Sequence, residues 1–199
     1  MVELVVLARH AESEYSANDR MNGDPSVAVH LTEKGRAEAR TLGEWLRDRS
    51  VDLAVTSRFI RTQETVAIAL EGRGVPTLAV PELDDVSVGE FEGRPVHEFR
   101  DWQRANGVDT PVPGGGESRV DAMTRFVAGY RKVLARPEDN ILVVTHGLPV
   151  TAVLLALRGE EVPITLEKVQ VRPAEPHVVT FDELEVAVDR LEIQMKVSP

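Results

Sequence analysis

Short apolar runs recur along the chain and are separated by polar and amphipathic stretches. The first run, from Val2 to Ala8, is rich in Val and Leu and is typical of a buried strand. Arg9 and His10 follow it directly, where such a strand would end. Runs of this kind predict strands at 2–8, 52–56, 77–80 and 140–145, with two more near 178–181 and 187–193.

A helical period is clearest after Ser118, which is well placed to cap the first turn of a helix. Apolar residues then recur at three- and four-residue steps and form one stripe: Val120, Met123, Val127, Tyr130 and Leu134. Because a stripe of this kind packs against a core, we expect a long helix that covers the sheet.

Three further helices are predicted from the residues that begin and end them. Ser and Thr cap helix N-termini, Pro suits a first turn, and Gly commonly follows a last turn. The predicted helices run from the cap Thr32 to about Arg49, from the cap Ser57 to about Leu70, and from near Pro149 to Gly159.

Two long segments show no strong period and are predicted to be loops. Residues 13–29 are polar and contain Gly and Pro. Residues 82–116 are irregular apart from a short predicted helix near 96–105, and they end in a Pro- and Gly-rich run at 111–116. Their glycines permit movement, so we predict that 82–116 carries an acidic loop and acts as a lid over a ligand pocket.

The alternation of strands and helices predicts an α/β fold, a three-layer α/β/α sandwich with a largely parallel central sheet. The length of 199 residues and the lack of a linker favour a single domain over 1–199. In such sheets, ligands bind beyond the carboxyl ends of the strands. His10 and His146 both fall at predicted strand ends, so we expect them at the same edge of the sheet.

The chain is acidic, with 33 Asp and Glu against 23 Lys and Arg and a net charge of −10. This balance disfavours nucleic acid and anionic membranes as partners. An anionic substrate would therefore need a local cluster of cations. The absence of cysteine excludes disulfides, thiolate nucleophiles and Cys-bound zinc, and fits a cytoplasmic protein. The early apolar run is too short to span a membrane.

Arg9 and His10 form the first candidate chemical group. A neutral imidazole nitrogen can attack phosphorus if the other ring nitrogen is held, commonly by a backbone carbonyl. An adjacent guanidinium offers two parallel donors to phosphate oxygens. The alternative is a histidine that only packs at the strand end. A catalytic role for the pair is therefore supported only if other hydrogen-bond donors lie beside it.

Arg61 and His146 are the candidates for those other donors. Arg61 lies one turn into a predicted helix, where backbone N–H groups favour anions; the alternative is a solvated arginine paired with Glu64. His146 could donate to a phosphoryl oxygen, although a buried histidine bonded to backbone fits the pattern equally well. Gly147 would allow the backbone to approach a ligand closely.

A carboxylate-rich loop lies between Leu83 and Gly93. A leaving alkoxide needs a proton, and a carboxylic acid with a raised pKa can supply it. Loops rich in acids are usually just solvated, so this segment needs the support of the others. A different hypothesis, in which His10, Glu12 and His146 bind a metal ion, has less support from the spacing.

Taken together, these segments resemble the histidine phosphatase superfamily, the group that includes cofactor-dependent phosphoglycerate mutase. Short motifs are individually weak, but six of them keep the family order over nearly the whole chain. They are Arg9-His10-Ala11, Leu31-Thr32-Glu33-Lys34-Gly35, Ser57 to Thr65, Leu83 to Gly93, Pro113 to Ser118 and Thr145-His146-Gly147. Ala11 replaces the glycine that most members carry.

The resemblance implies a phosphoglycerate mutase-like fold and a phosphate pocket. His10 would become phosphohistidine, and Arg9, Arg61 and His146 would bind the phosphate. The family needs no metal, and no cofactor is expected for this chain. The partner implied is a small phosphorylated metabolite, and a homodimer is compatible with the family.

The resemblance also suggests a proton donor and substrate contacts. Asp85 falls where the family places a glutamate, but it is one methylene shorter, so Glu82 and Asp84 stay as alternatives. Asn22 and Gly23 fall where mutase-like members touch substrate, and Gly147 is the third candidate contact.

A phosphatase and a mutase differ in whether water or a second hydroxyl receives the phosphoryl group. Mutases of the family carry an insertion with extra arginines after the acidic loop, whereas residues 94–113 are short here and hold only Arg94, Arg100 and Arg104. We therefore predict a phosphatase for small phosphomonoesters. The alternatives are a phosphoglycerate mutase, a phosphohistidine-protein phosphatase, and a phosphate-binding regulatory protein with weak turnover.

Overall fold

The computed structural model describes residues 4–162 and 171–197. Within these ranges five strands form one sheet: β1 Leu4–Arg9, β2 Leu53–Thr56, β3 Thr77–Ala79, β4 Asn140–Thr145 and β5 His177–Thr180. Their order across the sheet is β3-β2-β4-β1-β5. The strands expected at 52–56, 77–80, 140–145 and 178–181 are confirmed to within about one residue at each end.

Three of the four strand pairings are parallel, and only β5 runs antiparallel, along the outer edge of β1. The chain builds β1, β2 and β3 outward and then returns to place β4 between β1 and β2. The carboxyl ends of β1 and β4 are therefore neighbours, with Arg9 paired to Thr145. A change in strand order of this kind opens a crevice at the carboxyl edge of the sheet.

Seven α-helices lie within the described ranges: α1 Glu14–Ala17, α2 Glu33–Leu46, α3 Ile60–Ala69, α4 Val96–Ala105, α5 Arg119–Leu134, α6 Gly147–Leu157 and α7 Phe181–Val197. Short 3-10 turns occupy Pro81–Leu83 and Gly89–Phe91. Thr32 caps α2 by accepting the Gly35 N–H, and Ser118 caps α5 by accepting the Asp121 N–H, as predicted.

Alternation along β1 shows how both faces of the sheet are covered. Val5 and Leu7 pack on one face with residues of α5, α6 and α7, whereas Val6 and Ala8 pack on the other face with residues of α2 and α3. Because each strand residue points opposite to its neighbour, both sides of the sheet are apolar. The predicted three-layer α/β/α sandwich is confirmed.

The strand predicted at 187–193 is wrong, because these residues belong to α7. The error has a physical cause: Leu191, Ile193 and Met195 alternate with polar residues as in a strand. In the structure Leu191 is fully buried and Ile193 is 60% exposed, so alternate residues do not share a face. The buried stripe instead has a helical spacing and consists of Leu184, Ala187, Val188 and Leu191.

Smaller differences concern helix ends and loops. The predicted loop 13–29 contains the short helix α1, and α2 ends at Leu46 rather than near Arg49. Ser57 does not cap α3, because the N-cap is Phe59 and its side chain makes no capping bond. Residues 2–3 of the first predicted strand lie outside the described residues. No described helix is both long and apolar enough to cross a membrane.

Candidate active site

His10 lies immediately beyond β1 and is held next to β4. Its backbone N–H donates to the carbonyl oxygen of Thr145 at 2.8 Å, which continues the pairing of the two strands by one residue. His146 follows Thr145, and the centroids of the two imidazole rings lie 5.3 Å apart. Parallel pairing thus brings together two histidines that are 136 residues apart (146 − 10) in the sequence.

The hydrogen bonds of His10 define its tautomer. Nδ1 lies 2.7 Å from the carbonyl oxygen of Ala11, which can only accept, so Nδ1 carries the proton. Nε2 accepts from Nε of Arg61 at 3.1 Å, so it is unprotonated and its lone pair points at that guanidinium. Burial, together with the positive charges of Arg61 and Arg9, holds the pKa of His10 well below 6.5.

Arg61 connects the groups of the site. It lies in the first turn of α3 and is almost fully buried. Besides the bond to His10, its Nη1 donates to Oδ1 of Asn22 and its Nη2 donates to the Asn22 carbonyl at 3.1 Å. Nη2 also lies 2.9 Å from Oδ2 of Asp85 and 3.2 Å from Nδ1 of His146. A single guanidinium therefore contacts four residues from four different segments.

His146 is fully buried between Ser57 and the Arg61–Asp85 pair. Its Nε2 lies 2.9 Å from Oγ of Ser57, and its Nδ1 lies 3.3 Å from Oδ2 of Asp85. Burial lowers the pKa of His146, and the negative charge of Asp85 offsets that effect only in part. Ser57, which was predicted as a helix cap, therefore fixes the orientation of the second imidazole.

Asp85 is the one of the three candidate acids that contacts His146. Burial opposes its charged form, but its interactions with His146 and Arg61 outweigh that effect and hold the pKa of Asp85 well below its usual range. Asp84 instead binds the backbone N–H and Nε of Arg58 at 2.8 and 2.7 Å. Glu82 binds Nζ of Lys132 at 2.6 Å.

Arg9 contributes a further cation from the last position of β1. Its Nη1 donates weakly to the Val171 carbonyl at 3.4 Å, whereas its Nε has no hydrogen-bond partner in the described part of the chain. Burial lowers the pKa of Arg9, although a nearby carboxylate, Asp85, acts in the opposite direction. A buried guanidinium of this kind favours an anion beside it.

Asn22 and Gly23 take different positions. Asn22 lines a cavity that opens over His10. Its Oδ1 accepts from Arg61, and its Nδ2 donates to Glu92 Oε1 at 2.8 Å. The Gly23 N–H donates to Glu92 Oε2 at 2.7 Å, and a Cβ on Gly23 would lie 2.2 Å from the Val86 carbonyl oxygen. Gly23 therefore lies against the acidic loop rather than on the cavity wall, and its contact with substrate stays a prediction.

A cavity of about 460 Å³ opens over His10 and is lined by Arg9, Arg61, Asn22, Asp85 and Gly147. Helix α4 and the start of α5 form its outer wall through Phe99, Arg100, Gln103 and Arg119. Residues of α4 thus border the cavity, and the role of 82–116 as a lid stays a prediction. Gly147 begins α6, and a Cβ there would meet Arg9 at an ordinary contact distance of 3.7 Å.

Several residues that shape the site were not predicted to do so. Ser57 and Glu92 belong to motifs that were recognised, but no local pattern indicated that they hold His146 and Asn22. Arg119 follows the helix cap Ser118, and nothing in its local pattern indicated that it faces the cavity. Burial lowers the pKa of Arg119 to about 10, and the negative charge of Asp85 acts in the opposite direction.

The arrangement suits an anion with several oxygens. Arg9 and Arg61 line the cavity beside His10 and give the acidic chain a local cationic pocket, whereas His146 is fully buried against Arg61 and Asp85 and does not line the cavity. Glu12 is engaged with Lys34 and Thr32 at 2.6 and 2.9 Å. Among residues 4–162 and 171–197, no three His, Asp or Glu side chains are grouped so that they could hold a metal ion.

Comparison with known proteins agrees with this geometry. The family model described as histidine phosphatase superfamily, branch 1, matches residues 5–194. A 2,3-bisphosphoglycerate-dependent phosphoglycerate mutase of Gloeobacter violaceus is 32% identical to the chain, with 87% of this chain and 83% of the relative covered.

Solved structures agree as well. Bacillus stearothermophilus YhfR superposes with a TM-score of 0.73 at 26% identity, covering 88% of this chain and 89% of that one. A mycobacterial glucosyl-3-phosphoglycerate phosphatase superposes with a TM-score of 0.70 at 25% identity, covering 89% and 92%. The chain therefore belongs to the histidine phosphatase superfamily, branch 1.

Proposed function

We propose that this protein is a metal-independent phosphatase that hydrolyses small phosphomonoesters through a phosphohistidine on His10. The observation that carries the proposal is the position of His10, which lines the cavity beside Arg9 with Nε2 unprotonated and hydrogen-bonded to Arg61. A neutral imidazole held in this way is a competent nucleophile. The surrounding cations would stabilise charge on the transferring phosphoryl oxygens.

In the first step the Nε2 lone pair of His10 forms a bond to phosphorus while the bond to the leaving oxygen breaks. The leaving oxygen takes a proton from Asp85. In the second step water attacks phosphorus, Asp85 accepts a proton from that water, and orthophosphate leaves with His10 restored. Both steps need positioning and charge neutralisation more than covalent work by other residues.

Asp85 must gain a proton before it can act as an acid, because in the ligand-free site it pairs with Arg61. A phosphate that engages Arg61 and His146 removes those charges from Asp85 and adds negative charge beside it, which raises the pKa of the carboxyl. The proton can enter with the substrate, because a phosphomonoester loses its second proton only near pH ~6.

The outer wall of the cavity supports a small, polar leaving group. Arg100 and Arg119 add two cations to the lining of the cavity, and Phe99 and Leu148 add apolar surface. We infer that a phosphomonoester with a second anionic group, such as a carboxylate, fits this wall better than a neutral one. Charge-assisted hydrogen bonds to arginine would favour it.

The test compares wild type with His10→Ala on a panel of phosphomonoesters, with released orthophosphate as the readout. The proposal requires loss of release in His10→Ala and a transient mass increase of one phosphoryl group on the wild-type protein. Undiminished release from the variant would refute it. Chelator in every assay should leave the rate unchanged if no metal takes part.

A mutase is the second candidate, because the relative from Gloeobacter violaceus carries that name. The two functions differ in the acceptor of the phosphoryl group. Supplying 2,3-bisphosphoglycerate and 3-phosphoglycerate together decides between them: a mutase would form 2-phosphoglycerate faster than orthophosphate, whereas the proposed phosphatase would release orthophosphate faster.

A further inference from the structure

The segment that carries Asp85 has little regular structure of its own. Apart from the 3-10 turn at Pro81–Leu83, residues 82–88 belong to no helix or strand. Their backbone carbonyls therefore need partners elsewhere, because unpaired buried carbonyls are costly. Whatever satisfies these carbonyls also sets the position of the Asp85 backbone.

Arg125, on the second turn of α5 (residue 125 of 119–134), satisfies three of them. Its Nη1 donates to the carbonyl oxygens of Glu82 at 3.1 Å and Asp84 at 2.9 Å. Its Nη2 donates to the carbonyl oxygen of Asp85 itself at 3.0 Å. One guanidinium thus fixes the backbone on both sides of the candidate acid.

Glu117 completes the arrangement from the loop before α5. Its Oε2 accepts from Nε of Arg125 at 3.1 Å, and its Oε1 accepts from Nη2 of Arg125. The same Oε1 accepts the Ser87 N–H at 2.9 Å, and the Glu117 N–H donates to the Ser87 carbonyl at 3.0 Å. We call Arg125 and Glu117 the clamp, since together they hold residues 82–87.

The clamp rests on a rigid part of the molecule. Arg125 lies between Met123 and Phe126 on α5, and both of those side chains are buried in the core. The side chains of Arg125 and Glu117 are only 24% and 18% exposed, so water competes weakly for their mutual hydrogen bonds. The bonds are charge-assisted and two-pronged, which makes them strong and directional.

Asp85 depends on such support because its side chain is short. Its Oδ2 reaches Arg61 Nη2 at 2.9 Å and His146 Nδ1 at 3.3 Å from a backbone that no strand or helix fixes. A displacement of about 1 Å in a catalytic group can lower a rate roughly 100-fold.

Resting on the proposed function, we propose that the Arg125–Glu117 clamp positions Asp85 for proton transfer to the leaving group. Arg125 and Glu117 line a second cavity, of about 390 Å³, and are not among the residues that line the cavity over His10. They are therefore positioning residues that do not touch substrate.

The test compares two substrates whose leaving groups differ in how strongly they need a proton. An alkyl phosphate such as glycerol phosphate expels a strongly basic alkoxide, whereas p-nitrophenyl phosphate expels a stable phenolate that hardly needs protonation. The ratio kcat/KM includes the step that expels the leaving group and excludes the later attack of water. Comparing this ratio for the two substrates isolates the acid step.

For Arg125→Gln we expect kcat/KM to fall by about 10- to 100-fold with glycerol phosphate and by less than about 3-fold with p-nitrophenyl phosphate. Glu117→Gln should show the same selectivity with a smaller loss, because it keeps the shape and removes the charge. Arg131→Gln, on the same helix and bonded to Asp189 and Glu192 of α7, is the matched control and should change neither ratio.

Equal losses with both substrates in a folded Arg125→Gln or Glu117→Gln protein would overturn the proposal, and so would no loss in either. If Arg125→Gln does not fold, the same comparison of kcat/KM for the two substrates is made with Arg125→Lys and Glu117→Gln. Failure of the proposed function looks different: wild type would then release orthophosphate from neither substrate, or His10→Ala would release it from both.

Discussion

Nε of Arg61 donates a hydrogen bond to Nε2 of His10 at 3.1 Å, so the nitrogen proposed to attack phosphorus already faces a fixed cation. The carbonyl of Ala11 holds the other ring nitrogen at 2.7 Å. One partner can only accept and the other can only donate, so together they select one neutral tautomer. A phosphate entering the site would meet a nucleophile that is already deprotonated, and its binding to Arg61 would release the Nε2 lone pair for attack.

The first prediction concerns the protonation of His10. Burial and the charges of Arg61 and Arg9 lower its pKa, so the ring should stay neutral, with its proton on Nδ1, as the pH falls through 6.5. Nitrogen NMR of the ring from about pH 8 to about pH 5 would report this, with His10→Gln for assignment. A midpoint at or above 6.5 would contradict the geometry.

The same shift has a consequence for stability. Below about pH 6.5 the unfolded chain binds a proton at this histidine and the folded chain does not, so the free energy of unfolding should decrease as the pH falls. His10→Gln should flatten that decrease.

The second prediction concerns the shape of the Arg61 side chain. Lysine keeps the charge but cannot contact His10, Asn22 and Asp85 at once, because it lacks the planar fork. We expect Arg61→Lys to lower kcat/KM about 100- to 1000-fold, as for the loss of one preorganised donor. Arg131→Lys makes the same change at an exposed site and should leave activity intact. Near wild-type activity in Arg61→Lys would reject the role of the fork.

The third prediction separates the three candidate acids. Asp85→Asn should lower kcat/KM by about 100-fold or more with glycerol phosphate and much less with p-nitrophenyl phosphate. Glu82→Gln breaks only the contact with Lys132 and should have little effect. Asp84→Asn weakens the pairing with Arg58, so any loss should be similar for both substrates. A leaving-group-selective loss in Asp84→Asn or Glu82→Gln would reassign the acid.

The fourth prediction concerns the outer wall of the cavity. Arg119 lines the cavity from the first residue of α5, so Arg119→Gln should raise KM about 10-fold for 3-phosphoglycerate, in line with one charged hydrogen bond. KM for glycerol phosphate, which lacks the carboxylate, should change little. Arg104→Gln removes an exposed arginine bonded to Asp101 and serves as the control. An equal rise in KM for both substrates would show that Arg119 does not bind the carboxylate of 3-phosphoglycerate.

Local pattern was sufficient for most of the framework and for the meeting of the two histidines. The run at 140–145 is buried along its length and became β4, and parallel pairing of β1 with β4 follows from an α/β alternation. Since parallel strands end at one edge, His10 and His146 had to approach each other. Capping by Thr32 and Ser118 was equally local and was also predicted.

Features that depend on contacts between distant segments could not be predicted. The alternation of Leu191, Ile193 and Met195 fits a strand as well as a helix. The segment forms the helix α7 because it packs against α5 and α6, and those contacts are not visible in the local pattern. Likewise, the ionisation of Asp85 depends on Arg61, 24 residues away in the sequence. No local property of the acidic loop contains that information.

Gly35 shows how a recognised motif residue serves the site indirectly. It lies in the first turn of α2 at the point where the helix meets the loop after His10. A Cβ at this position would lie 2.0 Å from the carbonyl oxygen of Glu12, which already accepts the Thr32 N–H at 3.0 Å. Because the contact is between two backbone segments, no flexible side chain can move aside. A larger residue at position 35 must therefore push the two segments apart.

The last prediction is that Gly35→Ala destabilises the protein and lowers its activity, although alanine is the better helix former by about 1 kcal/mol. Glu12 is two residues from His10, so moving its carbonyl disturbs the nucleophile. Urea unfolding would measure the stability, and Ala37→Gly, at an exposed position of the same helix, calibrates helix propensity alone. A gain of about 1 kcal/mol in Gly35→Ala would mean that propensity outweighs the close approach.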